Sequence, residues 1–216
     1  MTLKKRILSL ILALIICITA LPVAYAADNT KATDDKIVAT FYVYVMVTDI
    51  HPIGHMWVYL ENLTNKPMKV GLYTIPAKKG MSVGVFARKD GYGIYYNVEA
   101  YTQTVYGMEK QICLKDELTA DKVQDVSDAL LRYRNHWDPI FNCMYFAFRI
   151  WNSGCSTGKK LIPLIWPPLG TLQMKMKSHL YEKPMKGVTM SETYRQVGSG
   201  SNAYLKPATL KSLGRI

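Results

Sequence analysis

Two residues in this chain combine a reactive side chain with a position that could use it. Cys143 follows Asn142 and opens a segment running to Gly154, in which Ala147, Ile150 and Trp151 recur at helical spacing. Asn142 is a favoured N-cap, and Gly154 stands where a left-handed C-terminal residue is expected. The pattern predicts a helix with the cysteine in its first turn, where unpaired amide N–H groups favour thiolate over thiol. Packing is the competing reading, because cysteine is among the most buried residue types. His55 is the second residue. It begins the run His55 to Asn62, whose alternation places His55, Trp57, Tyr59 and Glu61 on one face and Met56, Val58 and Leu60 on the other. Immediately after Gly54, its ring is expected at the rim of a sheet with space beside it. A thiolate with a histidine base at its side is the minimum needed to attack a carbonyl carbon.

The elements that would hold these residues fall in a simple order. Ile37 to Val47 is a β-branched and aromatic run that reads as a buried strand, ended by Pro52 and Gly54. After the His55 strand come Lys69 to Ile75, Ser82 to Ala87 and Gly93 to Tyr101, with Asp90-Gly91 as a hairpin signal. A further short strand is expected from Lys110 to Leu114. Helical periodicity starts only then, with Thr119 as N-cap and Val123, Val126, Ala129, Leu130 and Tyr133 on one face. A short helix is expected from Thr171 to His179. This order predicts an α+β fold, an antiparallel sheet of about five or six strands packed against about two or three helices.

Lys4, Lys5 and Arg6 precede an apolar run from Ile7 to Leu21, and Ala24-Tyr25-Ala26 supplies a small-x-small cleavage pattern. Residues 1–26 are therefore expected to be a secretory signal peptide. Residues 27–36 then form a polar lead-in, 37–181 a single domain and 182–216 a basic, loosely held tail. No later run is long enough to span a bilayer, so the mature chain is expected outside the cell or at the envelope. The chain's net charge of +11 falls to +8 without the three cations of the signal. That balance suits an anionic surrounding such as a wall polymer. The scattered cations, not interleaved with aromatics on one element, argue against nucleic acid. Loss of Cys17 leaves Cys113, Cys143 and Cys155, an odd number for an oxidising compartment. Pairing Cys113 with Cys155 would free Cys143; two other pairings, or three thiols, are open on the sequence alone.

Gly54-His55-x-Trp57-x-x-Leu60-Glu61-Asn62 and Asn142-Cys143 together resemble the circularly permuted members of the papain-like superfamily, including exported NlpC-type enzymes, with the histidine on an early strand and the cysteine on a later helix, the reverse of a papain-type chain. The resemblance covers about His55 to Leu172. It implies a permuted papain-like fold, Cys143 as nucleophile and His55 as base, and amide or ester hydrolysis or acyl transfer. It implies no cofactor. Relatives carry a polar residue on the next strand to orient the histidine, and in Lys69 to Ile75 the residue at that place is Tyr73; Glu61 and Asn62 are alternatives. A non-enzymatic exported module that binds an anionic envelope component is the reading from another class. His51, His55, His136 and His179 have no metal-ligand spacing, and no zinc site is expected. Asn62-Leu63-Thr64 matches a glycosylation sequon. N-terminal sequencing of the exported chain should begin at Ala27; a chain that keeps its first residues would overturn the cleavage assignment.

Overall fold

The computed structural model of the chain describes residues 36–46, 55–88, 91–106, 111–163, 167–177 and 192–208. The segment expected to be a signal peptide, most of the expected lead-in, and His51, Gly54, Asp90 and His179 lie outside the described residues. The chain runs β1 (Ile37–Met46), β2 (His55–Asn62), β3 (Met68–Val70), β4 (Tyr73–Ile75), β5 (Gly80–Arg88) and β6 (Gly91–Tyr96). It continues with α1 (Val98–Tyr106), β7 (Gln111–Thr119), α2 (Ala120–Arg132), α3 (Cys143–Gly154), α4 (Pro167–Lys177), β8 (Tyr194–Val197) and β9 (Tyr204–Pro207). It is an α+β chain with a large antiparallel sheet. That sheet has seven strands in the order β7-β1-β2-β5-β6-β8-β9, more than the sequence suggests, with β3 and β4 pairing separately.

The extra strands come from the segment expected to be a loose tail. Tyr95 and Tyr96 of β6 pair with Arg195 and Tyr194, and β8 pairs in turn with β9. An open strand edge carries unmet N–H and C=O groups, and this segment meets them despite its polar composition. Asn135 ties the join from the other side, donating to the carbonyls of Gln196 (3.0 Å) and Gly198 (3.2 Å). The Lys69 to Ile75 strand is broken instead by Gly71, whose φ of 59° turns the chain into the β3–β4 hairpin.

Strand β1 lies between β2 and β7, and both of its faces are covered, which explains a run without polar alternation. One face, with Phe41, Val43, Met56, Val58 and Leu60, packs on α2 and α3, where Trp151 stacks on Phe41 at 5.1 Å. The other face is aromatic, with Tyr42, Tyr44, Trp57 and Tyr59 beside Ala100 of α1. Burying such side chains contributes on the order of 2 kcal/mol each.

The two faces also settle the cysteines. Alternation along β7 sends Ile112 and Leu114 to the helix side and Cys113 to the aromatic side, whereas Cys155 belongs to the helix-side core. A disulfide needs Cα atoms within about 7 Å and converging Cβ vectors. The sheet stands between these two, and none of Cys113, Cys143 and Cys155 is in a disulfide. Gly154, expected to be left-handed, is instead the last residue of α3. It is glycine because a Cβ there would lie 2.4 Å from Val126 Cγ2 of α2. Gly154→Ala should therefore cost about 1–3 kcal/mol in urea unfolding. Gly158→Ala, where a Cβ meets nothing within 4 Å, should change little; equal effects at the two sites would refute this account of the helix contact.

Candidate active site

Asn142 sets the position of Cys143. Its backbone is extended and its side chain accepts from the N–H groups of Met144 and Tyr145, both at 3.1 Å, so α3 starts at the cysteine as its cap residue requires. Met144, Phe146, Ala147 and Trp151 bury the inner face of the helix. The packed helix holds Cys143 at the opening of β2, partly exposed to solvent and hydrogen-bonded to His55.

His55 has the face expected from its strand. Its ring lies parallel to Trp57 at 5.6 Å and against Phe86 at 4.4 Å, which restricts rotation about its side-chain bonds. Nε2 is 3.1 Å from Oε1 of Glu99, and Cys143 is the other side chain that acts on the ring. Glu99 is fully buried, and its second oxygen accepts from Ser82 Oγ at 2.8 Å. Ser82 Oγ in turn accepts from the N–H of Ala100 at 3.3 Å. The histidine is thus held between a thiol and a carboxyl group that is itself anchored.

Glu99 reaches the ring through two local devices. At Asn97 the chain leaves β6 with φ 65°, a left-handed conformation that Asn tolerates better than most residues. The Asn97 N–H donates to Ser82 O (2.8 Å), Oδ1 accepts from Ser82 N (3.2 Å), and Asn97 O accepts the first helical bond from Tyr101 (3.0 Å). The second device is Gly84. A Cβ there would fall 1.8 Å from Glu99 Oε1 and 3.2 Å from His55 Nε2, so the carboxyl group occupies space that any other residue would fill.

The charge states follow from these contacts. Burial works against an imidazolium at His55, but hydrogen bonds to Cys143 and Glu99 outweigh it and raise the pKa to about 9. Burial likewise opposes the Cys143 thiolate, and the hydrogen bond and charge of His55, with the N–H groups of Met56 and Met144, reverse it and hold the thiol below its ordinary value. Cys155 shows what burial does without such partners: its thiol is pushed up to about 11.

Tyr73 is not brought to this site. It lies on β4 in the helix-side core, packs on Tyr96 and Tyr194, and donates to Glu192 Oε2 at 3.2 Å. Glu61 accepts from Tyr42 at 3.4 Å. Asn62 is buried with its amide donating to the carbonyls of Lys66, Ile75 and Pro76, so the sequon residue is a turn anchor. His136 pairs with Asp138 at 3.2 Å in the loop before α3. Among the described residues no group of three or more His, Cys, Asp and Glu is placed to hold a metal ion. Glu99 is the site residue that the strand pattern hides, because Gly93 to Tyr101 is rich in tyrosine and reads as one strand. The signal was present as Asn97 followed by an acidic residue two places on, a helix start.

Compared with known proteins, the chain matches no family model, no curated protein and no solved structure at a significant level. Two substitutions test the geometry. Glu99→Gln removes a cause of the raised His55 value, and should move the thiolate absorbance titration of Cys143 upward. Gly84→Ala, which displaces the Glu99 carboxyl group, should move it the same way; an unchanged titration in both would detach Glu99 from the site.

Proposed function

We propose that the protein is a secreted thiol hydrolase or acyltransferase of permuted papain-like architecture, acting on an amide or ester bond. The observation that carries this reading is the run Cys143, His55, Glu99, in which a half-buried cysteine lies beside a histidine whose Nε2 is 3.1 Å from a fully buried carboxyl group. Export rests on the N-terminal sequence.

In this reaction the Cys143 thiolate attacks the carbonyl carbon, forming a C–S bond while the carbonyl π electrons move to oxygen. Of the opening amides of α3, those of Met144 and Tyr145 donate to Asn142 Oδ1 and that of Phe146 to Asn142 O. The N–H of Cys143 itself is left to meet the oxyanion. Collapse expels the amine or alcohol, which takes the His55 proton. Water, losing a proton to His55, then cleaves the thioester and releases the acid, leaving the Cys143 thiolate and the protonated His55 for the next cycle; another nucleophile in place of water gives acyl transfer. Glu99, anchored by Ser82, meets the imidazole and fixes its orientation, as the acidic member of such a trio does.

The pH dependence has a definite sign. Thiolate and imidazolium coexist from the lowered Cys143 value up to about 9. Turnover should therefore rise as pH climbs through the first and fall as it passes the second, where the leaving group loses its acid. At pH ~6 an ordinary thiol is only about 0.3 % thiolate. Iodoacetamide at that pH should label one thiol per chain, at Cys143, and the reaction should be lost in His55→Ala and in the less disruptive His55→Gln. Labelling that proceeds only at alkaline pH, or that ignores His55, would overturn the assignment and leave a binding role for the domain.

A further inference from the structure

A cleft of about 520 Å³ runs between the end of α2 and the outer face of α3, within the range of small-molecule sites. It does not take in Cys143 or His55. Its lining includes Arg132, Arg134, Arg149 and His136 and no carboxylate. Arg132 has Asp128 at 3.7 Å and His136 has Asp138 at 3.2 Å, whereas Arg134 and Arg149 form no ion pair among the described residues. Two guanidinium groups of the lining thus lack an ion-pair partner among the described residues, and an arriving anion would supply one. The Tyr133 hydroxyl in the same wall is buried and has no hydrogen-bond partner, a state that native proteins rarely tolerate without a ligand or water. Phe141 and Tyr145, packed edge to face at 5.2 Å, form a further wall and stand two residues to either side of Cys143.

We infer that this cleft binds a carboxylate or phosphate group carried on a flat apolar body, and that it selects anionic substrates for Cys143. The forked guanidinium matches either oxyanion with two parallel hydrogen bonds, and the aromatic wall takes the body. The role in substrate selection rests on the thiol-hydrolase reading; the binding itself does not.

Calorimetric titration of the full chain with 1-naphthyl phosphate, 1-naphthoate and neutral 1-naphthol separates the possibilities. At least one anion should bind with Kd below about 1 mM, and the tighter of the two identifies the preferred oxyanion. Arg134→Gln with Arg149→Gln should weaken that anion roughly tenfold or more while 1-naphthol is unaffected. Arg149→Lys, which keeps the charge and loses the fork, should fall between. No anion binding below about 10 mM, or equal behaviour of anion and naphthol, would overturn the site. With aryl esters as substrates, the double variant should raise KM for a carboxylate-bearing ester and leave kcat, and the neutral ester, unchanged. An unchanged KM would overturn the link to Cys143. Anion binding without labelling of Cys143 at acidic pH would keep the site and sink the enzyme.

Discussion

A carboxyl group taken wholly out of water must find its hydrogen bonds inside the protein, and Glu99 finds them on His55 and Ser82. Much of the local structure serves that requirement. Gly84 leaves the space, Ser82 supplies a hydroxyl from the same strand, and Asn97 turns the chain so that the first turn of α1 projects over β5. Breaking a buried pair of this kind by removing one partner typically costs about 3–5 kcal/mol, because the other is left unmatched. The same bonds that satisfy Glu99 fix the imidazole, so stability and site geometry share one cause.

The three described cysteines show how far environment governs one chemical group. Cys113 is enclosed among aromatic rings, Cys155 sits in the helix-side core with its thiol made less acidic, and Cys143 stands beside a histidine with its thiol made more acidic. Only the last is half-buried, the other two being fully buried. Helix start and histidine act together here, with the cap residue taking up two of the opening amides and sharing that of Met144 with the sulfur. The imidazole is accordingly the larger influence on Cys143, and the helix mainly a means of placing it.

A sheet covered on both faces makes this arrangement possible. Helices α2 and α3 pack on one side, α1 on the other, and the site forms where β2 begins and contributions from both sides meet. The aromatic layer holds the His55 ring between Trp57 and Phe86, so its orientation depends on packing as well as on hydrogen bonds. Strands β8 and β9 extend the sheet beyond β6, close to the turn that launches α1.

What was legible in the sequence was local. The alternation of β2 assigned His55 to its face, the Asn142 cap located the first turn of α3, and the apolar stripe of α2 gave its buried side, because each of these depends on neighbours within a turn or two. Tertiary structure alone decided the rest. Glu99 becomes a partner of His55 only when a left-handed residue ends β6 and a glycine on another strand stands opposite it. Tyr73 is carried away by a hairpin that bends at Gly71, Cys113 is parted from Cys155 by the thickness of the sheet, and Gly154 is small because Val126 comes close. Each of these is a contact between residues far apart in the chain, and residue type at one position does not specify which distant surface will meet it.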